Sequence, residues 1–271
     1  MSTAEDSKFE GSIPQLYERY LVPLIFAPYA AEITRRVVAL APQRVLELAA
    51  GTGVVTRQLA QQLPAEGTIV ATDLNQPMLD EAARVGTARP VDWRQADAMQ
   101  LPFADASFDV VVCQFGVMFI PDKARAFGEA RRVLRPGGHL LFNVWDRIEV
   151  NEIVFTVCGA LDGLFPDDPP RFMHRGPHGY TDKHLIAADL ARGGFRHPEI
   201  FTVPHRSRSP SPRDAVIGYC HGSPLRMEIE AKGTDALGRA TEAAVGALTQ
   251  RFGASAIEGG IQAHVVVTRK D

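Results

Sequence analysis

Between Gln43 and Asp146, short apolar runs alternate with stretches of helical periodicity. The runs at 45–48, 68–73, 91–95, 110–114 and 139–144 are rich in Val, Ile, Leu and Thr, and they predict strands. Between them, residues 54–62, 76–85 and 123–134 repeat apolar positions at helical spacing. Such alternation implies a parallel sheet covered by helices on both faces. Ahead of it, Leu16, Tyr17, Tyr20, Leu21, Leu24, Ala30, Ile33, Val37 and Val38 fall at helical intervals within residues 13–40. Pro23 and Pro28 interrupt that stretch and predict two helices or three short ones. Residues 1–10 are polar and acidic, expected to be frayed, and unlike a secretory signal.

The rhythm changes after Asp146. Residues 149–164 read as an amphipathic helix with Ile153, Val154, Val157, Ala160, Leu161 and Leu164 on its apolar side. A Pro- and Gly-rich loop follows over 165–180, of the kind that closes over a pocket. Residues 182–192 predict another helix, stopped by Gly193-Gly194. Strands are expected at 199–203 and 263–268, with helices at 212–219 and from about 225 to 251 between them. Arg206 to Arg213 reads as a loop, with a helix start at Ser211-Pro212. The roughly sixty residues between the last two strands exceed an ordinary connection and read as an insertion shaping a substrate side. The chain divides into N-terminal helices (1–42), a core unit (43–146) and substrate-side helices with strands that complete the same sheet (147–271).

The chain has 271 residues, 45% hydrophobic and 23% charged, which suits an ordinary globular protein able to bury a full core. A net charge of -3 gives no sign of a polyanionic partner, so no nucleic acid is expected. Cys113, Cys158 and Cys220 stand far apart, without metal-ligand spacing, so no metal site is expected and a reducing, cytoplasmic setting is. No segment has the uninterrupted apolar length of a membrane span. Oligomeric state is left open.

The chemistry-bearing stretch is Glu47-Leu48-Ala49-Ala50-Gly51-Thr52-Gly53, a strand end running into a glycine turn that opens a helix. Asp73 closes the next strand. Such a unit binds a nucleoside: glycines admit the ligand to the backbone, and the second acid can take both ribose hydroxyls. Asp73-Leu74-Asn75-Gln76-Pro77-Met78-Leu79 and Gln95-Ala96-Asp97-Ala98 follow. Then come Leu101-Pro102-Phe103 through Phe108-Asp109, and Arg132-Val133-Leu134-Arg135-Pro136-Gly137-Gly138. These five pieces, in this order, resemble a class I S-adenosylmethionine-dependent methyltransferase of the group that includes the ubiquinone/menaquinone C-methyltransferases. The resemblance covers about residues 43–146. Ala49 departs from it, since the family often has Gly there.

The resemblance implies a Rossmann-like α/β sheet, mostly parallel, with an antiparallel hairpin at one edge and a helical cap. It implies S-adenosylmethionine as cofactor and a small-molecule methyl acceptor, quinone-like among others. Residue by residue, Ala49, Gly51 and Gly53 face the methionyl end, and Glu47 orients the turn or attracts the ammonium. Asp73 takes the ribose, Leu74 and Met78 pack on the adenine, Asp97 accepts its amino group and the Ala98 amide donates to a ring nitrogen. Gln114 ends the fourth strand beside the sulfonium, while Asp109 reads as a structural acid. The apolar side chains beyond Asp146, Ile153, Phe155, Leu161, Phe165, Phe172, Met173 and Tyr180, point to an acceptor pocket for an aromatic or lipid-like molecule.

Methyl transfer from a sulfonium needs mainly a well-placed nucleophile, helped by a general base when the acceptor is a phenol or a carbon acid. His174 and His178, in the loop 165–180, are the candidate bases, with His205 and His221 secondary. Tyr17 and Tyr20 are placed to cover the cofactor, and Trp145 to line the acceptor pocket. A nicotinamide oxidoreductase is an alternative, but it would need a third glycine near Thr56 and gives no reason for Asp97. A non-catalytic S-adenosylmethionine binder is another, because these enzymes share no universal catalytic residue.

Overall fold

The computed structural model describes Phe9 and residues 11–271; the rest of the segment expected to fray lies outside the described residues. Seven strands form one sheet: β1 (Arg44–Leu48), β2 (Thr68–Asp73), β3 (Asp92–Gln95), β4 (Phe108–Gln114), β5 (Leu134–Trp145), β6 (Arg196–Ser209) and β7 (Ile257–Arg269). Their spatial order is β3-β2-β1-β4-β5-β7-β6. The first five run parallel, and β7 lies antiparallel between β5 and β6. The expected Rossmann-like class I methyltransferase sheet is therefore present. Its antiparallel strand stands one place in from the edge, which β6 occupies.

Period-two alternation splits the sheet's apolar residues between two faces. Val45, Val110 and Val112 pack with Ile33, Val37, Val55 and Leu59 of helices α2 (Ala27–Ala39) and α3 (Val54–Gln62). Leu46, Leu48, Val111, Cys113 and Phe142 face the larger cluster, which includes Phe127 of α5 (Lys123–Val133). Strand order reverses between β1 and β4, and a doubly wound sheet opens its ligand crevice at the carboxyl ends there. Helix α4 (Gln76–Val85) follows β2 on that side, with a proline in its first turn.

The N-terminal stretch corrects the expectation of breaks. Helix α1 (Ile13–Leu16), a π-helix (Tyr17–Phe26) and α2 follow one another without interruption. Pro23 sits inside the π-helix, whose wider turn absorbs the missing N–H and the ring. Pro28 lies in the first turn of α2, where an N–H has no helical partner in any case.

Past Asp146, α6 (Glu152–Leu164) is preceded by a 3-10 turn at Ile148–Val150. The loop 165–180 is not wholly irregular, since it carries the short helix α7 (Phe172–Arg175). Helix α8 (Lys183–Arg192) follows, with Asp182 accepting from the His184 amide at its start. The stretch read as a loop at 206–209 belongs to β6, where Arg206 and Arg208 both pair with Glu258 across the ladder. Ser211 accepts from the Asp214 amide and starts α9 (Pro212–His221), as its sequence predicts. The helix expected over 225–251 is two, α10 (Leu225–Glu230) and α11 (Ala236–Phe252), separated at Gly233 with φ +130°. Together α9 to α11 form the insertion between β6 and β7, and α11 packs against α6 and α9.

Candidate active site

β1 ends at Leu48 and enters a turn of left-handed residues: Ala49 at φ +50°, Gly51 at +57° and Gly53 at +85°. Alanine rarely adopts such a φ. Its methyl is accommodated because the facing residue is Gly116, where an added Cβ would stand 2.4 Å from the Ala49 Cβ. The turn is braced from β2. Asp73 Oδ2 accepts the Gly51 N–H at 2.8 Å, and Asp73 Oδ1 accepts the Asn75 N–H at 2.8 Å.

Glu47 lies beneath the turn rather than in front of it. Thr56 of α3 donates its hydroxyl to Glu47 Oε2 at 2.6 Å, and the Glu47 backbone carbonyl accepts from the Thr72 hydroxyl at 2.9 Å. Burial pushes the Glu47 carboxyl up to about 8, against lowering by the Thr56 hydrogen bond and Arg57. Burial also raises the Asp73 carboxyl, opposed by the amides that bond it.

One cavity of about 410 Å³ runs from this turn to the helices beyond β5. That volume lies within the range of small-molecule sites. Ala49, Gly51, Asp73, Leu74, Met78, Asp97, Ala98 and Gln114 all line it. Leu74, within that lining, is 52% exposed. Asp97 Oδ1 accepts the Met99 N–H at 2.8 Å, which fixes the carboxylate beside Ala98. The Gln114 amide nitrogen donates to the Phe26 carbonyl at 3.3 Å, and its oxygen accepts from Asn143 at 3.4 Å. Tyr17 of the π-helix also lines the cavity and stacks on Phe26 at 4.9 Å.

At the far end stand Phe119, Trp145, Phe172, Met173, His178 and Tyr219. Trp145 stacks on Phe115 with centroids 3.8 Å apart and planes 8° apart. His178 Nδ1 lies 2.7 Å from the Asp146 carbonyl, so Nδ1 carries the proton and Nε2 keeps its lone pair. Burial pushes the His178 imidazole down to about 4, against raising by that carbonyl, and holds it neutral at ordinary pH.

Glu47, Gly53 and His174 do not line the cavity, and neither does Tyr20, expected to cover the cofactor beside Tyr17. Gly53 serves close packing instead, as a Cβ there would meet Trp93 at 2.9 Å. The His174 Nδ1 is buried with no hydrogen-bond partner among the described residues. The secondary histidines, His205 and His221, also lie outside the cavity lining, and His221 bonds Thr241 at 2.8 Å. Among the apolar residues expected to shape an acceptor pocket, Phe172 and Met173 line the cavity. Ile153 and Leu161 are core, and Phe155 points outward at 42% exposure. Asp109 is structural, as read: it accepts the Gln43 and Arg44 amides at 2.6 and 2.9 Å and pairs with Arg135. Sequence reasoning missed Gly116, Asn151 and Tyr219. Gly116 and Tyr219 sit among apolar residues that say core, Asn151 in a mixed stretch before a helix, and only the folded chain turns them toward the cavity.

Among the described residues, no group of three His, Cys, Asp or Glu side chains is arranged to hold a metal ion. No helix among them is long and apolar enough to cross a membrane.

A methyltransferase domain family profile matches residues 46–142. The chain is 33% identical to the demethylmenaquinone methyltransferase of Thermus thermophilus over 168 residues, 57% of this chain and 75% of that one. It is 38% identical to a ubiquinone/menaquinone biosynthesis C-methyltransferase of Escherichia coli over 174 residues, 59% of this chain and 69% of that one. Alignments to further ubiquinone/menaquinone C-methyltransferases span between 41% and 66% of those enzymes' length. In fold it matches phosphoethanolamine N-methyltransferase 2 of Haemonchus contortus in complex with S-adenosyl-L-methionine. The TM-score is 0.58 at 18% identity, over 95% of this chain and 56% of that one. With the sheet order, the braced glycine turn and these likenesses in hand, the chain belongs to the class I S-adenosylmethionine-dependent methyltransferases.

Proposed function

We propose that the protein transfers a methyl group to a small, largely apolar acceptor carrying an acidic hydroxyl or carbon acid, with His178 as its general base. The observation that carries this reading is the single cavity that joins Gly51 and Asp73 at one end to the neutral His178 at the other. The cofactor supplies an electrophilic methyl on a good leaving group when bound. The residues fit it: Asp73 Oδ2 takes one backbone N–H and retains a lone pair for a ribose hydroxyl, while Oδ1 takes the Asn75 N–H and, at 3.4 Å, the Asn75 side-chain amide, which a ribose hydroxyl can displace. In this reading the turn Ala49 to Gly51 receives the methionyl end, and Gln114 lies beside the sulfonium. Leu74 and Met78 pack on the adenine, whose polar edge meets Asp97 and the Ala98 amide. Glu47 and Gly53 act from behind, by fixing α3 and the turn. His174 has no part in it.

The aromatic lining at Phe119, Trp145 and Phe172 suits a flat or lipid-like acceptor, and the relatives named for quinone methylation make a naphthohydroquinone the first probe. Family membership favours this reading over a nicotinamide oxidoreductase. The polar atoms left open at His178 favour an enzyme over a mere binder. We place the enzyme in the cytoplasm, without a nucleic-acid partner, consistent with three free, buried cysteines. We keep the division at 1–42, 43–146 and 147–271.

The test is methyl transfer to 1,4-dihydroxynaphthalene by wild type and His178→Ala. Loss of a general base lowers turnover about a hundredfold or more. His178 accepts a proton only while neutral, so wild-type turnover falls as pH drops through about 4. That acidic limb disappears in the variant. Cofactor affinity stays nearly unchanged, because the cofactor end lies elsewhere in the cavity. Equal turnover in both proteins removes His178 from the chemistry.

A further inference from the structure

Three tyrosines are buried, and their hydroxyls differ in one respect. Tyr29 donates to the Val203 carbonyl at 2.8 Å, and Tyr180 donates to Asp189 Oδ2 at 2.8 Å. Tyr219 is 3% exposed and lines the cavity, yet no hydrogen bond of its hydroxyl is found among the described residues. Its residue is buried, but the hydroxyl is not among the fully enclosed orphan atoms, so it is open to the cavity and free to bond a ligand there.

Tyr219 is held rigidly. It lies on α9, next to Gly218, where an added Cβ would stand 3.1 Å from Leu21 of the π-helix. At Gly222, one turn on, a Cβ would stand 3.1 Å from the backbone of Leu16 and Tyr17. The two glycines let α9 press against the N-terminal helices, which fixes where the phenol points. Ser223, also in the lining, donates its hydroxyl hydrogen to the Tyr219 backbone carbonyl at 2.6 Å. That hydrogen is therefore not available to a ligand. Burial, with Cys158 nearby, pushes ionisation of the phenol far upward, so the group stays a donor at every working pH.

We propose that the Tyr219 hydroxyl donates a hydrogen bond to an oxygen of the methyl acceptor, and so selects acceptors with a second oxygen besides the one facing His178. This rests on the preceding reading, in which the His178 end of the cavity receives the acceptor. Tyr219 is then a specificity-determining residue supplied by the insertion between β6 and β7.

The experiment titrates 1,4-dihydroxynaphthalene and 1-naphthol, without oxygen, into protein saturated with S-adenosylhomocysteine. Wild type binds the two-oxygen probe about threefold to tenfold more tightly, the scale of one neutral hydrogen bond. Tyr219→Phe loses this preference while keeping its affinity for 1-naphthol and for S-adenosylhomocysteine. Its unliganded melting temperature is unchanged or higher, because the deleted hydroxyl had no partner. A preference that survives in Tyr219→Phe overturns the inference, as does a wild type that binds neither probe or does not distinguish them. A lower melting temperature with equal weakening toward both probes makes Tyr219 a packing residue and also overturns it. Failure to bind S-adenosylhomocysteine removes the cofactor reading first, and is seen before either probe is added.

Discussion

Replacing Asp73 by alanine removes two backbone anchors and a ligand anchor together. The backbone anchors are the Gly51 and Asn75 amides, each 2.8 Å from a carboxylate oxygen. A hydrogen bond to a charged acceptor contributes about 1.5–3 kcal/mol. Two terms reduce the sum here. Cavity water reaches the freed amides, and the lost carboxylate no longer carries the desolvation that raises its pKa. The net destabilisation is then about 2 kcal/mol, which lowers the melting temperature of a chain this size by about 4–8 °C. The ribose hydroxyls lose a charged acceptor as well, about 1.5–3 kcal/mol, or about 10- to 150-fold in affinity for S-adenosylhomocysteine. Asp73→Asn separates the two effects. It preserves shape and one acceptor oxygen but sets an NH₂ against one of the amides, so it destabilises less than Asp73→Ala and still weakens the cofactor. Calorimetric titration and a melting curve on each variant measure both quantities. Unchanged affinity beside a large fall in melting temperature would falsify the ribose assignment and leave Asp73 as a brace of the turn.

Three further outcomes follow from the same geometry. Gly116→Ala forces a methyl against the Ala49 methyl and Cys113 Sγ, destabilising by about 1–3 kcal/mol; Ala49→Gly in the same chain relieves the first of these contacts and restores part of the loss, and a double-mutant cycle without coupling rejects the pairing. The Glu47 carboxyl is raised in the fold from 4.5 to about 8, so its contribution to stability is present at low pH and is lost as pH rises between those values. Glu47→Gln flattens that loss, by up to about 1.4 kcal/mol per pH unit, and denaturant midpoints with the same pH slope in both proteins count against a buried neutral Glu47. Asp97→Asn keeps an acceptor oxygen and so retains more preference for S-adenosylhomocysteine over its inosine counterpart than Asp97→Ala does; equal preference in all three proteins takes Asp97 out of the adenine site.

The parallel core was legible because its strands are apolar runs of fixed length and its helices repeat at their own period. Both signals are local. So was the convergence of Gly51, Asp73, Asp97 and Gln114 on one cavity, since they sit at strand ends, and strand ends of a parallel sheet converge on one crevice. The Ala49 departure was visible too, but its accommodation was not, because Gly116 lies 67 residues away and meets it only across the β1–β4 pairing. The N-terminal prolines misled for a local reason: proline predicts a break in an α-helix, and packing over the sheet selected a π-helix that tolerates it. The run Arg206 to Ser209 misled for the opposite reason. Its polar, Ser-rich composition says loop, and pairing with β7 makes it strand. Neither histidine of the loop 165–180 could be preferred in sequence, as both stand in the same motif. Tertiary structure turned His178 onto the Asp146 carbonyl and into the cavity, and left His174 outside it. Tyr219 shows the limit most plainly: its apolar neighbours on α9 mark it as core, and whether a buried hydroxyl has a partner depends on atoms distant in the chain. The sequence by itself determined the sheet, the cofactor turn and the family. Only the fold decided which side chains beyond β5 face the cavity, because that end is built from helices joined by long connections rather than from neighbours in the chain.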